Sequence, residues 1–151
     1  MADKRSLDHW LDYISRQHAQ VIDMGLDRFN RVLHRLNLEN PAPTVITVAG
    51  TNGKGSTCRV IEALLLSGGY RVGSTLSPHI WRFNERIRLC GKEASDEQIC
   101  DAFAAIDLAR GNVTLTYFEF SALAALFCIA KEQMDVAILE IGLGGRLDAF
   151  N

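Results

Sequence analysis

The stretch AGTNGKGS, residues 49–56, gathers the residue types that hold phosphate. Gly50, Gly53 and Gly55 let backbone N–H groups come close to an anion. Lys54 adds a cation on a long stem, and Ser56 or Thr57 adds a hydroxyl. A β-branched apolar run precedes the loop and a helical pattern succeeds it. The positive end of that helix would therefore point at the same place as the loop N–H groups. The spacing departs from the common G-x-x-x-x-G-K-[ST] loop. Only Thr51 and Asn52 separate Gly50 from Gly53, and Gly55 stands between Lys54 and Ser56. The plain alternative is a tight strand-to-helix turn with a solvated lysine.

Other stretches carry chemistry of a matching kind. VAILEIG, residues 136–142, is an apolar strand that ends in a carboxylate. Glu140 stands where phosphate-loop proteins hold Mg²⁺, directly or through water; otherwise it is an acid paired with a lysine or arginine. Ser77, stiffened by Pro78, could offer a neutral oxygen to the same metal, or simply make a turn. His79 reads as a loop residue. RFNERIR, residues 82–88, could meet an anionic substrate or form a solvated strand with cross-strand ion pairs. In TLTYFEF, residues 114–120, Tyr117 and Phe118 could stack on a flat heterocycle while Glu119 accepts its N–H groups. On composition alone that stretch suits core packing. GLGGRLD is no dinucleotide fingerprint, because Leu147 stands where the third glycine belongs; Asp148 could face a ligand.

These residues need a frame. Leu7, Trp10, Leu11 and Ile14 mark an amphipathic helix opened by Ser6. Phe29, Val32, Leu33 and Leu36 mark a second, stopped by ENPAP at 39–43. Residues 44–49 predict a strand buried on both faces, and residues 56–67 a helix ended by Gly68 and Gly69. YRVGSTL is a second strand, 77–85 a long loop, and RIRLCGK an exposed strand. Ser95 and Gln98 form a capping box for a helix carrying Ile99, Phe103 and Ile106. Residues 112–132 begin extended and become a buried helix, and 136–142 is a third core strand. The alternation predicts an α/β fold with a parallel sheet whose ligand lies at the carboxyl ends of its strands. The glycine loop, Ser77 and Glu140 all fall at such ends. GLGGRLDAFN closes no element, so the sequence predicts the N-terminal part of a longer protein.

Composition narrows the partners. With 48% hydrophobic and 23% charged residues and a net charge of −2, the 151-residue chain has an ordinary globular balance. That balance points to neither nucleic acid nor a membrane. The longest apolar run, from Phe120, is too short to span a bilayer, and no signal peptide opens the chain. Four cysteines without a C-x-x-C pair predict reduced, mostly buried thiols in a cytoplasmic protein.

Together the motifs resemble the folylpolyglutamate synthase/dihydrofolate synthase family of the Mur ligase superfamily. TVAGTNGKGST resembles that family's phosphate loop, including the glycine after the lysine. The related ligases of cell-wall peptide assembly place the hydroxyl directly after lysine. SPHIWRFNERI resembles the family's Ω-loop, LEIGLGGRLDA its metal-site strand, and WLDYISRQHAQVIDMGLDR its N-terminal signature. LTYFEF and GRLDA look most like the bacterial bifunctional enzymes.

The resemblance implies a P-loop NTPase-like parallel sheet flanked by helices, the Mur-ligase-type ATPase domain, truncated, with residues 1–151 binding ATP and pteroate. It implies an ATP-dependent ligase, cytoplasmic and monomeric, that joins L-glutamate to dihydropteroate and to folyl(poly)glutamates through an acyl phosphate. Gly50, Thr51, Asn52, Gly53, Lys54, Gly55 and Ser56 would hold ATP, with Lys54 and Glu140 serving catalysis. Ser77 and Glu140 would hold Mg²⁺. Ile22, Asp23 and Met24, Thr116, Tyr117, Phe118 and Glu119, and Leu147, Asp148 and Ala149 would form the pteroate pocket. Met24 replaces a more usual leucine, and Phe150 a small residue. The family's third metal ligand, a histidine, lies beyond residue 151, so the isolated chain is expected to have little or no ligase activity. Two competing readings are a ligase of peptidoglycan precursors and a non-catalytic P-loop module.

Overall fold

The computed structural model describes residues 5–17 and 26–142. Helices α1 (Leu7–Ser15) and α2 (Asp27–Leu36) come first. The Ser6 hydroxyl caps α1 by accepting the His9 N–H at 3.3 Å. Next come β1 (Thr44–Val48), α3 (Lys54–Ser67), β2 (Val72–Thr75), a 3-10 turn (Phe83–Arg86), β3 (Ile87–Leu89) and β4 (Lys92–Glu93). Helices α4 (Asp96–Arg110) and α5 (Tyr117–Lys131) and strand β5 (Val136–Glu140) complete the order. Ser95 and Gln98 do form the capping box of α4. Helix α3 begins at Lys54 rather than Ser56, because Gly53, in the left-handed region at φ 76°, is its N-cap.

The sheet runs β1-β5-β2-β3-β4. Strands β1, β5 and β2 are parallel, while β3 is antiparallel to both β2 and β4. The expectation of a parallel sheet thus holds for three strands and fails for two. The physical reason is the connection: the chain returns from β2 through a loop and one 3-10 turn, with no helix to carry a parallel crossover. Nor is β3 an exposed strand. Its alternation buries Ile87 and Leu89 and turns Arg88 to the other face.

The two faces differ in cover. On one, Val136 and Ile138 of β5 pack with Val72 and with Cys58 of α3. On the other, Ala137 and Leu139 join a larger core under α4 and α5. There Trp10, Phe83 and Phe120 surround Phe103, with ring centroids 5.5 to 6.2 Å apart. Gly73 lets α5 down onto β2, since a Cβ there would lie 2.5 Å from Cγ1 of Ile129. Strand β1 was expected to be buried on both faces, yet Val45 is 43% exposed. It is the sheet's edge among the described residues, and α5 covers β2 and β3 instead. The cysteines divide as well: Cys58 and Cys128 are buried, Cys100 is half-buried, and Cys90 is exposed. None of the described helices is long and apolar enough to cross a membrane.

Candidate functional site

Three carboxyl strand ends meet side by side. From β1 the chain enters the glycine loop, where residues 49–53 are exposed. Gly53 needs its freedom, because its positive φ turns the chain into α3 with no side-chain cap. The first-turn N–H groups of α3 therefore remain available to an anion. The Lys54 ammonium donates to the Gly50 carbonyl at 3.0 Å, folding back over the loop it serves. Of the two candidate hydroxyls, Thr57 is engaged, donating to the Gly53 carbonyl at 2.9 Å. Ser56 lines the cleft wall.

Glu140 ends β5 in register with Val136 and Ile138, so it points to the α3 side. The residue is buried, 5% exposed. Oε2 accepts the Ser77 N–H at 2.8 Å, and the Glu140 backbone N–H donates to Oγ1 of Thr75 at 3.0 Å. Oε1 faces Gly55, where an added Cβ would stand 3.9 Å away. No cation forms an ion pair with Glu140 among the described residues.

A cleft of about 520 Å³ opens above this carboxylate, lined by Gly55, Ser56, Arg59, Ser77, Glu85 and Glu140 among others. Its oxygens suit a hard divalent cation: one buried carboxylate and one serine hydroxyl. No group of three His, Cys, Asp or Glu side chains that could hold a metal occurs among the described residues. Two protein oxygens beside an open cleft suit a divalent cation whose other ligands come from outside the chain.

The aromatic stretch lies on the other face. Thr116 caps α5, its hydroxyl accepting the Glu119 N–H at 3.1 Å, and Oε2 of Glu119 accepts the Thr116 N–H at 2.7 Å. Arg28 donates to Oε1 of Glu119 at 3.2 Å. Both carboxylate oxygens of Glu119 are thus engaged within the chain. Tyr117 packs edge-on to Phe83, and burial raises its phenol above the ordinary range. Phe118 lines a small cavity with Ser77 and Glu140, so the two clefts share the same acid. Gly142 permits this, because a Cβ there would be 3.1 Å from the Phe118 ring. Ile22, Asp23, Met24, Leu147, Asp148 and Ala149 lie outside the described residues.

The arginines of RFNERIR are occupied within the chain. Arg82 pairs with Glu93 at 2.6 Å and Arg88 with Glu62 at 3.1 Å. Arg86 lies over the rings of Phe83 and Tyr117 and donates to Nδ1 of His79 at 2.7 Å. Burial, then the Arg86 charge, lowers the His79 pKa, so the ring accepts that bond neutral. His79 is a loop residue, as its sequence context predicts. Sequence reasoning missed Arg59 and Glu85 as cleft residues. Arg59 lies four residues beyond Gly55, one helical turn on, so helical spacing alone could have found it; Glu85 had no comparable signal.

The fold and the loop define the class: an α/β module of P-loop type with an acid at a neighbouring strand end. No family model matches the chain. The dihydrofolate synthase/folylpolyglutamate synthase of Escherichia coli (strain K12) is 50% identical over 145 residues, covering 96% of this chain and 34% of that protein. A solved structure of E. coli FolC in complex with DHPP and ADP has a TM-score of 0.95 at 49% identity, covering 97% of this chain and 35% of that one. The bifunctional folylpolyglutamate synthase/dihydrofolate synthase of Yersinia pestis, complexed with AMPPNP and Mn ion, has a TM-score of 0.92 at 50% identity, covering 96% and 35%. Over nearly its whole length the chain corresponds to the amino-terminal part of the bacterial folylpolyglutamate synthase/dihydrofolate synthases, and it is related to that family. It spans about a third of the length of the curated relatives it matches.

Proposed function

We propose that this chain is the ATP- and pteroate-binding part of a ligase that joins L-glutamate to dihydropteroate and to folyl(poly)glutamates. The observation that carries this reading is the convergence of three strand ends: the glycine loop, Ser77 and a buried Glu140 with no cationic partner among the described residues. The resemblance of the relatives over this same stretch supports it.

A carboxylate is a poor electrophile, and transfer of the γ-phosphoryl group gives it a leaving group. The carboxylate oxygen attacks phosphorus and ADP leaves; the glutamate amine then attacks the acyl carbon and phosphate leaves. The first-turn N–H groups of α3 and the loop from Gly50 to Ser56 hold the triphosphate. Lys54 leaves the Gly50 carbonyl to meet the β- and γ-oxygens, offsetting charge that spreads onto the equatorial oxygens. Ser77 and Glu140 would hold Mg²⁺, which would supply positive charge against that of the phosphates. Phe118, beside Ser77 and Glu140, would meet the flat pteroate ring, with Tyr117 next to it in the chain, and the Thr116–Glu119 capping box fixes the start of that helix.

Phosphate release by a full-length protein carrying this chain tests the proposal. Release is expected only when ATP, dihydropteroate and L-glutamate are all present. ATP binding that ignores both substrates would favour the non-catalytic module. Turnover with a nucleotide-sugar substrate in place of dihydropteroate would favour the cell-wall branch.

A further inference from the structure

The loop after β2 combines two properties that rarely go together. Its tip is exposed, with Ile80 81% and Trp81 90% accessible. Such a tip usually moves, because nothing packs against it. Yet almost every backbone step is held. The Leu76 N–H donates to the Arg86 carbonyl at 3.0 Å and the Ser77 N–H to Glu140 at 2.8 Å. Arg86 then holds the His79 ring. The next three N–H groups all go to one side chain: Glu85 accepts from Ile80 at 2.8 Å, Trp81 at 2.7 Å and Arg82 at 2.8 Å.

Glu85 stands in the 3-10 turn that runs directly into β3. The loop is therefore tied to the sheet and not merely to itself. Arg82 does not neutralise this acid, since its guanidinium is paired with Glu93. Bonds from backbone N–H groups to a charged carboxylate are the stronger kind. These bonds hold the Glu85 carboxyl below its usual range, so it is charged at neutral pH. The same carboxylate lines the cleft with Ser77 and Glu140.

We propose that Glu85 is a positioning residue of the site: its three backbone hydrogen bonds fix the path of residues 77–82, and so the place of the Ser77 hydroxyl opposite Glu140. The proposal rests on the ligase reading of this site. Removal of the carboxylate releases three N–H groups to water, and the loop then wanders by an ångström or more. A displacement of about 1 Å in a reacting constellation costs on the order of 100-fold in rate. Glutamine keeps one acceptor oxygen, which can serve two of the three N–H groups, and sets its amide NH₂ against the third.

The test uses the full-length protein carrying this chain, with Glu85→Ala and Glu85→Gln. The expected kcat for phosphate release falls between about tenfold and about 100-fold for alanine and by less for glutamine. Half-saturation by Mg²⁺ should rise in the same order, while nucleotide affinity measured without metal stays unchanged. A spectroscopic readout comes from 5-fluorotryptophan labelling, with the Trp81 fluorine line assigned by its loss in W81F. That line should narrow in E85A, because a tip no longer held by its backbone tumbles more freely. Wild-type kcat and an unchanged Trp81 linewidth in E85A would overturn the proposal. So would a lower melting temperature with kcat and Mg²⁺ dependence intact, which would make Glu85 a purely structural residue. If the wild type itself releases no phosphate with dihydropteroate and glutamate, the ligase reading fails, and the fluorine line still decides whether Glu85 holds the loop.

Discussion

Two buried acids lie on the α3 side of the sheet, and their surroundings are opposite. Glu62, 3% exposed, sits under the middle of α3 and is fully matched. Arg88 reaches both of its oxygens at 3.1 and 3.2 Å, Ser74 donates to Oε1 at 3.0 Å, and Arg59 pairs with Oε2 at 3.0 Å. Glu140, 5% exposed, has one backbone N–H on Oε2 and a glycine facing Oε1. Burial of a carboxylate is costly unless it is paired and hydrogen-bonded. The structure meets that cost in full at Glu62 and only partly at Glu140. An acid left short of cations beside an anion-binding loop is suited to a metal that arrives with the nucleotide. The difference separates an acid matched within the chain from one that lines an open cleft, which burial alone could not do.

The largest expected effect breaks the comparison at the open end. Glu140→Gln in a full-length protein should lower phosphate release by about 100-fold or more, the scale of losing a principal electrostatic group. Its melting temperature should hold or rise, because an uncompensated buried charge is gone. A strong fall in melting temperature would place Glu140 in the same class as Glu62.

At the matched end the two readouts should trade places. Arg88→Met removes the main counter-charge of Glu62, with side chains only 12% and 4% exposed in the pair. Loss of one partner of a buried pair costs on the order of 3 kcal/mol. Urea unfolding should show that loss, while kcat of the folded protein stays near wild type.

A smaller effect sharpens the assignment of Arg59. Its side chain is 47% exposed, and Glu62 keeps Arg88 without it. Arg59→Ala should therefore cost less than about 1 kcal/mol in unfolding measurements. A loss as large as that of Arg88→Met would make Arg59 an equal member of the pair.

The smallest effect is read by a thiol between the two acids. Cys58 is raised to about 11, first by burial and next by Glu140, with a lesser contribution from Glu62. Alkylation rate against pH should show the Cys58 titration moving down in Glu140→Gln, and moving less in Glu62→Gln. The raised value also sets a stability window. Below the ordinary thiol value of 9.0 both folded and unfolded states are protonated; from there through about 11 the unfolded state ionises first and stability is lost.

Much of the local structure was legible in the sequence. The capping box of Ser95 with Gln98 depends on residues three apart, whereas that of Thr116 with Glu119 emerged only in the structure. The glycine loop and the acid-terminated strand each depend on a short apolar run and the residues directly after it. Register and cover were less legible. Val45 looks like a core residue by type, and only the sheet order shows that it lies at an edge. Cys90 looks like its buried counterparts, and only the β3–β4 turn shows it exposed. Arg82, Arg86 and Arg88 offered three cations to a substrate, and each proved to have a partner brought from elsewhere in the chain.

By itself the sequence determined the glycine-rich strand-to-helix turn from Gly50 to Ser56, because glycine backbone freedom and a strand-to-helix turn are local properties. It also placed Ser77 and Glu140 at strand ends, and its motifs carried the resemblance to a ligase family. Only the tertiary structure decided that Glu140 and Ser77 touch, that Glu62 is matched and Glu140 is not, and that Glu85 holds the loop tip. Those outcomes depend on which strands pair and how far each helix stands from the sheet. Such distances arise from packing between residues remote in sequence, as where Gly73 admits Ile129, and no local pattern encodes them.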